Sequence, residues 1–71
     1  MEKVDLKKLR GAMPVGWRIL IANEKGVTLR YVDQVMKGNR FNIEILLLAV
    51  DMATKYQDDL KYIREKVEQL N

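Results

Sequence analysis

At 71 residues, with 48% hydrophobic and 32% charged side chains and a net charge of +3, the chain has room for one small domain. It contains no His, Cys or Ser, which removes the usual nucleophiles, the commonest general base and the soft metal ligands together, so neither an enzyme, a cofactor nor a metal site is expected. A domain of this size buries only about 60% of the surface its unfolded chain exposes, and without disulfides long helices or self-association should supply the missing burial.

The first predicted element runs from Val4 to Met13. Val4, Leu6, Leu9 and Met13 supply an apolar stripe, with Lys7, Lys8 and Arg10 toward water. Pro14 and Gly16 end this helix and turn the chain. Trp17 opens a second helix that reaches Lys25, with Leu20 and Ile21 one turn on. An apolar-faced tryptophan at this spacing belongs to the core more readily than to a stacked nucleobase. Ile19, Leu20 and Ile21 are consecutive, more than one face needs, so at least one is covered by the first or last helix or stays exposed.

Gly26 follows, able to take the left-handed conformation that ends a helix without steric penalty. Val27 then packs into the corner, and the Thr28 hydroxyl is placed to cap the next helix. Ala22 is small where two crossing helices would meet, and Val32 and Val35 point one face of the third helix into that junction. This third helix, Thr28 to about Lys37, divides into two faces. Val32, Val35 and Met36 belong to the core, with Tyr31 at its edge, while Leu29, Arg30, Asp33, Gln34 and Lys37 face outward. Gly38 supplies another left-handed cap.

Asn42 is a good N-cap for one long helix reaching Leu70, and Glu44 in its first turn favours the helix dipole. Leu46, Ala49, Ala53, Tyr56, Leu60, Ile63, Val67 and Leu70 step by 3, 4, 3, 4, 3, 4, 3, the seam of a left-handed coiled coil. The run Ile45 to Val50 is apolar almost all round, so one side should cover the head while the seam meets a second copy. Asp59 and Arg64 flank the seam where a parallel partner would bring them together.

Ala22, Gly26, Val27, Val32 and Val35 sit at the spacings of phage repressor and Cro-like helix-turn-helix domains. The run Tyr31 to Arg40 also resembles the recognition helix and following loop of small bacterial or phage-type regulators in that group. The resemblance covers Gly16 to Ala53, and Lys25 departs from it, standing where the family places an apolar residue. With the helical pattern and the heptad seam, it gives an all-α fold expected to have a three-helix helix-turn-helix head over residues 1–45 and a continuous C-terminal dimerisation helix over 46–71. It also implies that the third helix enters the major groove of double-stranded DNA. Thr28, Leu29, Arg30, Asp33 and Gln34 would face bases, and Lys37, Asn39 and Arg40 would hold phosphates. Arginine can bond a guanine edge at two places and glutamine an adenine edge; Asp33 would accept from cytosine or hold Arg30.

Charge is divided in the same sense. Residues 1–40 carry +5 and residues 41–71 carry −2, so the basic half is the one that holds the helix-turn-helix. A negative C-terminal half argues against a helix lying on a membrane surface, and Ile45 to Val50 is too short to cross a bilayer. Glu2, Lys3, Asp5, Lys7 and Lys8 interrupt any apolar run that a signal peptide would need, and a cytoplasmic setting is expected. The expected function is a homodimeric DNA-binding transcriptional regulator, with no small-molecule ligand. The competing expectation is a protein-interaction module on the same scaffold, engaging a partner through Ile19, Leu20, Leu47 and Leu48.

Overall fold

The order of elements is α1 (Leu6–Gly11), α2 (Trp17–Lys25), α3 (Leu29–Met36) and α4 (Ile43–Glu68), in a computed structural model that describes residues 4–70. Each helix begins or ends where a local residue satisfies its free backbone groups. The Asp5 carboxylate accepts from the Lys8 amide at 3.0 Å, so α1 starts after Asp5 and is shorter than the apolar spacing from Val4 to Met13 predicts. The Thr28 hydroxyl accepts from the Tyr31 amide at 3.0 Å, and the Asn42 side chain accepts from the Ile45 amide at 3.1 Å. Both caps stand where the sequence places them.

Gly26 ends α2 in the left-handed region at φ 66°, ψ 35°, and both its amide and that of Val27 turn back to the Ala22 carbonyl. Gly38 does the same after α3 at φ 87°, where the Asn39 amide donates to the Gln34 carbonyl at 2.9 Å.

The core collects residues from all parts of the head. Trp17, Ile21 and Ala22 come from α2, Val32, Val35 and Met36 from α3, and Ile45, Ala49 and Ala53 from α4, joined by Met13. Ile21, Val32 and Met36 are wholly enclosed, and burying a side chain of this kind contributes about 1.5–3 kcal/mol. Val27 and Tyr31 pack at the edge of this cluster, as expected of a corner and a rim residue. Of the three consecutive apolar residues in α2, only Ile21 is buried.

α1 is a strap across two other helices rather than a core element. Its Arg10 guanidinium donates to the Met36 carbonyl at the end of α3, where a cation also complements the helix dipole. Gln57 of α4 donates to the Ala12 carbonyl at 3.1 Å just beyond α1. A further bond, Asn42 Nδ2 to the Tyr31 hydroxyl at 3.3 Å, fixes the start of α4 to α3.

The long helix is divided in a way the heptad spacing does not reveal. Ala49 and Ala53 are buried in the head of their own chain, and Leu46 packs on the same cluster. The head therefore extends past residue 45, and these three positions serve its core rather than a surface open to a second copy. A heptad stripe reports only that one face is buried; the small alanines let α4 approach the head closely. Tyr56 and Leu60 are half-buried, and every described residue from Lys61 onward is exposed. Among the described residues no helix is long and apolar enough to cross a membrane.

Nothing lies within 4 Å of the position a Cβ would take at Gly26, so the cost of a substitution there starts with the left-handed backbone. Gly26→Val should lower stability by about 1–2 kcal/mol, the cost of a left-handed L-residue. Urea unfolding measures this, and a variant as stable as the wild type would show that the turn is not left-handed.

Candidate nucleic-acid interface

Burial of Val32, Val35 and Met36 fixes the rotation of α3 about its axis and thereby determines which of its residues meet solvent. Thr28, Leu29, Arg30 and Lys37 are exposed, and Asp33 and Gln34 are half-buried beside them. Leu29 leaves half of its surface open at the start of the helix, next to a shallow groove lined by Pro14, Val15, Trp17 and Ile19. The Thr28 hydroxyl is already engaged as the cap of α3 and retains its own proton and one lone pair for an outward contact.

Beyond α3 the loop turns sharply. The amides of Asn39 and Arg40 both donate to the Gln34 carbonyl, at 2.9 and 3.3 Å, which holds the loop against the last turn of the helix. The side chains of Lys37, Asn39 and Arg40 are exposed there, at the mouth of an open groove whose other wall includes Lys7 and Arg10 of α1. Lys37, Asn39 and Arg40 are thus brought together at one end of the face that carries Arg30 and Gln34. Lys25, the departure from the family pattern, is exposed and disturbs no core contact.

Asp33 does not hold Arg30. Its Oδ1 accepts from Arg18 Nε of α2 at 3.1 Å, and its Oδ2 pairs with Lys37 Nζ at 2.9 Å. Arg18 is the residue that sequence reasoning missed, because the pair joins positions 15 apart that only the folded turn brings together. Its guanidinium also lies 4.3 Å from the centroid of the Trp17 ring. Trp17 is therefore core on one side and covered by a cation on the other, which leaves no open ring face of the kind a stacked base would need. Arg10, grouped by its charge with the exposed lysines of α1, is instead occupied at the end of α3.

Exposed apolar side chains occur elsewhere as well, Val15 and Phe41 among them, and two groups bear on the sequence expectations. Ile63, Val67 and Leu70 continue the seam beyond the head, each more than half exposed. Ile19, Leu20 and Leu47 are likewise exposed, whereas Leu48 packs against the core and is not part of an open patch. On the tail, Lys55 pairs with Asp59 along the same helix at 3.0 Å.

Lys37, and next Arg18, hold the Asp33 carboxyl below its ordinary value of 3.8. A depressed folded-state value means that the bridges contribute at neutral pH, and that this contribution is lost as pH falls through and below 3.8. An NMR titration should find the Asp33 midpoint below 3.8, moving upward in Lys37→Gln. An unchanged midpoint in the variant would remove Lys37 as the principal partner. Comparison with known protein families, curated proteins and solved structures finds no match to this chain.

Proposed function

We infer that this protein is a sequence-specific DNA-binding transcriptional regulator, acting as a homodimer in a cytoplasmic setting, with α3 placed in the major groove. The observation that carries this reading is the division of α3. One face is locked into the core through Val32, Val35 and Met36, while the other offers Arg30, Gln34 and Lys37 and leads directly to Arg40. A helix anchored in this way and followed by a basic loop suits the major groove, which is wide enough to admit one α-helix. The basic half of the chain supplies the long-range attraction to a polyanion.

In this reading Arg30 and Gln34 bond base edges, and Leu29 meets a thymine methyl group. Lys37, Asn39 and Arg40 hold the sugar-phosphate backbone and fix the register. The homodimer uses the part of α4 that the head leaves open, with Ile63, Val67 and Leu70 meeting their copies and the half-buried Leu60 at the near end of the seam. Two-fold symmetry would present two copies of α3 to a palindromic site.

The two groups of contacts respond differently to mutation. Arg40→Ala should weaken binding by a similar factor on every duplex and flatten the salt dependence by about one unit per protomer. Gln34→Ala should cost about 1–3 kcal/mol at one base pair in each half-site and relax the preference there. Selection from random duplexes followed by salt titration checks both. Identical behaviour of the two variants, without enrichment of any sequence, would exclude α3 as a reader.

Ile63 lies outside the core of the head and is 54% exposed, so Ile63→Lys should separate the dimer without unfolding the head. Sedimentation at tens of micromolar should show a pair for the wild type and a monomer for the variant. A monomeric wild type would leave the exposed seam without the proposed partner.

A further inference from the structure

Asp33 is the only acid in α3, and it stands on the face that would approach DNA. Both of its oxygens are occupied, one by Arg18 and the other by Lys37, so two cations and one carboxylate present a net single positive charge. The side chains of Arg18 and Lys37 are 49% and 54% exposed, and Asp33 is 31% exposed. Ion pairs this open to water add little to stability, so the stability of the head does not account for an acid at this position. Its larger effect is on what the two cations can do. A carboxylate and a phosphate compete for the same donors, and Asp33 occupies those donors in the free protein.

A random duplex offers this cluster phosphate in every register, but a cytosine opposite Asp33 only by chance. Docking there brings the Asp33 charge toward the backbone or strips it of a partner, and either outcome weakens attachment. A cytosine edge differs, because its N4 amino group is a donor that a carboxylate accepts in the major groove. On the DNA-binding reading given above, we propose that Asp33 is a specificity-determining residue. It acts as an internal counter-ion to Arg18 and Lys37, weakens attachment to random duplex, and favours sites that set a cytosine opposite it. Discrimination of this kind works through a penalty against the wrong partner as well as a bond to the right one.

The test compares wild type, Asp33→Asn and Asp33→Glu for binding to a random-sequence duplex across a salt series, with circular dichroism to establish folding. Asp33→Asn should bind random duplex more tightly, with a salt slope steeper by about one unit per protomer. Its loss of affinity between about 50 and 200 mM salt would then be about threefold larger per protomer. Asp33→Glu, which keeps the charge, should retain the wild-type slope. Sequences selected by the wild type should carry a cytosine at one position per half-site that Asp33→Asn no longer prefers. A measurement independent of that variant's folding is Lys37→Gln. Because Asp33 already offsets Lys37, its loss should flatten the slope less than Arg40→Ala does. An unchanged or shallower slope for folded Asp33→Asn, or a Lys37→Gln effect as large as that of Arg40→Ala, would overturn the role of Asp33 while DNA binding itself stands. Absence of salt-dependent binding by every form would overturn the DNA-binding reading and this role together.

Discussion

The Ala22 carbonyl receives the amides of both Gly26 and Val27, and the arrangement of the head follows from that one acceptor. Two bonds to a single oxygen close α2 and reverse the chain at a residue without a side chain. α3 is thereby led back across α2, and Val32, Val35 and Met36 reach Ile21 and Trp17. Ala22 itself is buried in the same cluster, where a larger side chain would push the crossing helices apart. α4 then closes the core with Ile45, Ala49 and Ala53, and the Asn42–Tyr31 bond sets where it begins.

Features determined by neighbouring residues were legible in the sequence. The caps at Thr28 and Asn42 and the left-handed turn at Gly26 depend on a few adjacent positions, and the periodicity of α3 identifies its core face. Features determined by the fold were not. Heptad spacing shows that one side of α4 is covered, yet Leu46, Ala49 and Ala53 are covered by their own chain while Ile63, Val67 and Leu70 are open. Leu29, Arg30 and Lys37 face outward as the spacing predicts, but the half-burial of Asp33 and Gln34 and the partners of Asp33 were not legible. Whether a carboxylate meets Arg30 or Arg18 depends on how α2 crosses α3, and no local spacing encodes that.

The arginines illustrate how charge in a small domain is divided between building and reaching. Arg10 terminates α3, and Arg18 is held between Trp17 and Asp33. Arg30 and Arg40 are exposed and, among the described residues, form no ion pair. A net charge of +5 over residues 1–40 is therefore not a uniform coat. Part of it is fixed in the framework, and the part open to solvent is shared between Lys7, Lys8 and Lys25 on the first two helices and Arg30, Lys37 and Arg40 on α3 and the loop after it.

α4 joins head and tail without a break, since no Gly or Pro occurs between Asn42 and Leu70. Its 26 residues form a rod about 39 Å long at about 1.5 Å per residue. A rod of this kind carries rotational phase as well as distance. One residue inserted between Ala53 and Ile63 would lengthen it by only about 1.5 Å but turn the head by about 100° relative to the tail. In a symmetric pair both heads would turn together, and their outward faces would no longer point the same way. Three or four inserted residues would nearly restore the phase at greater separation. Helix length between head and tail is therefore a discrete variable, under which some insertions are far less disruptive than shorter ones.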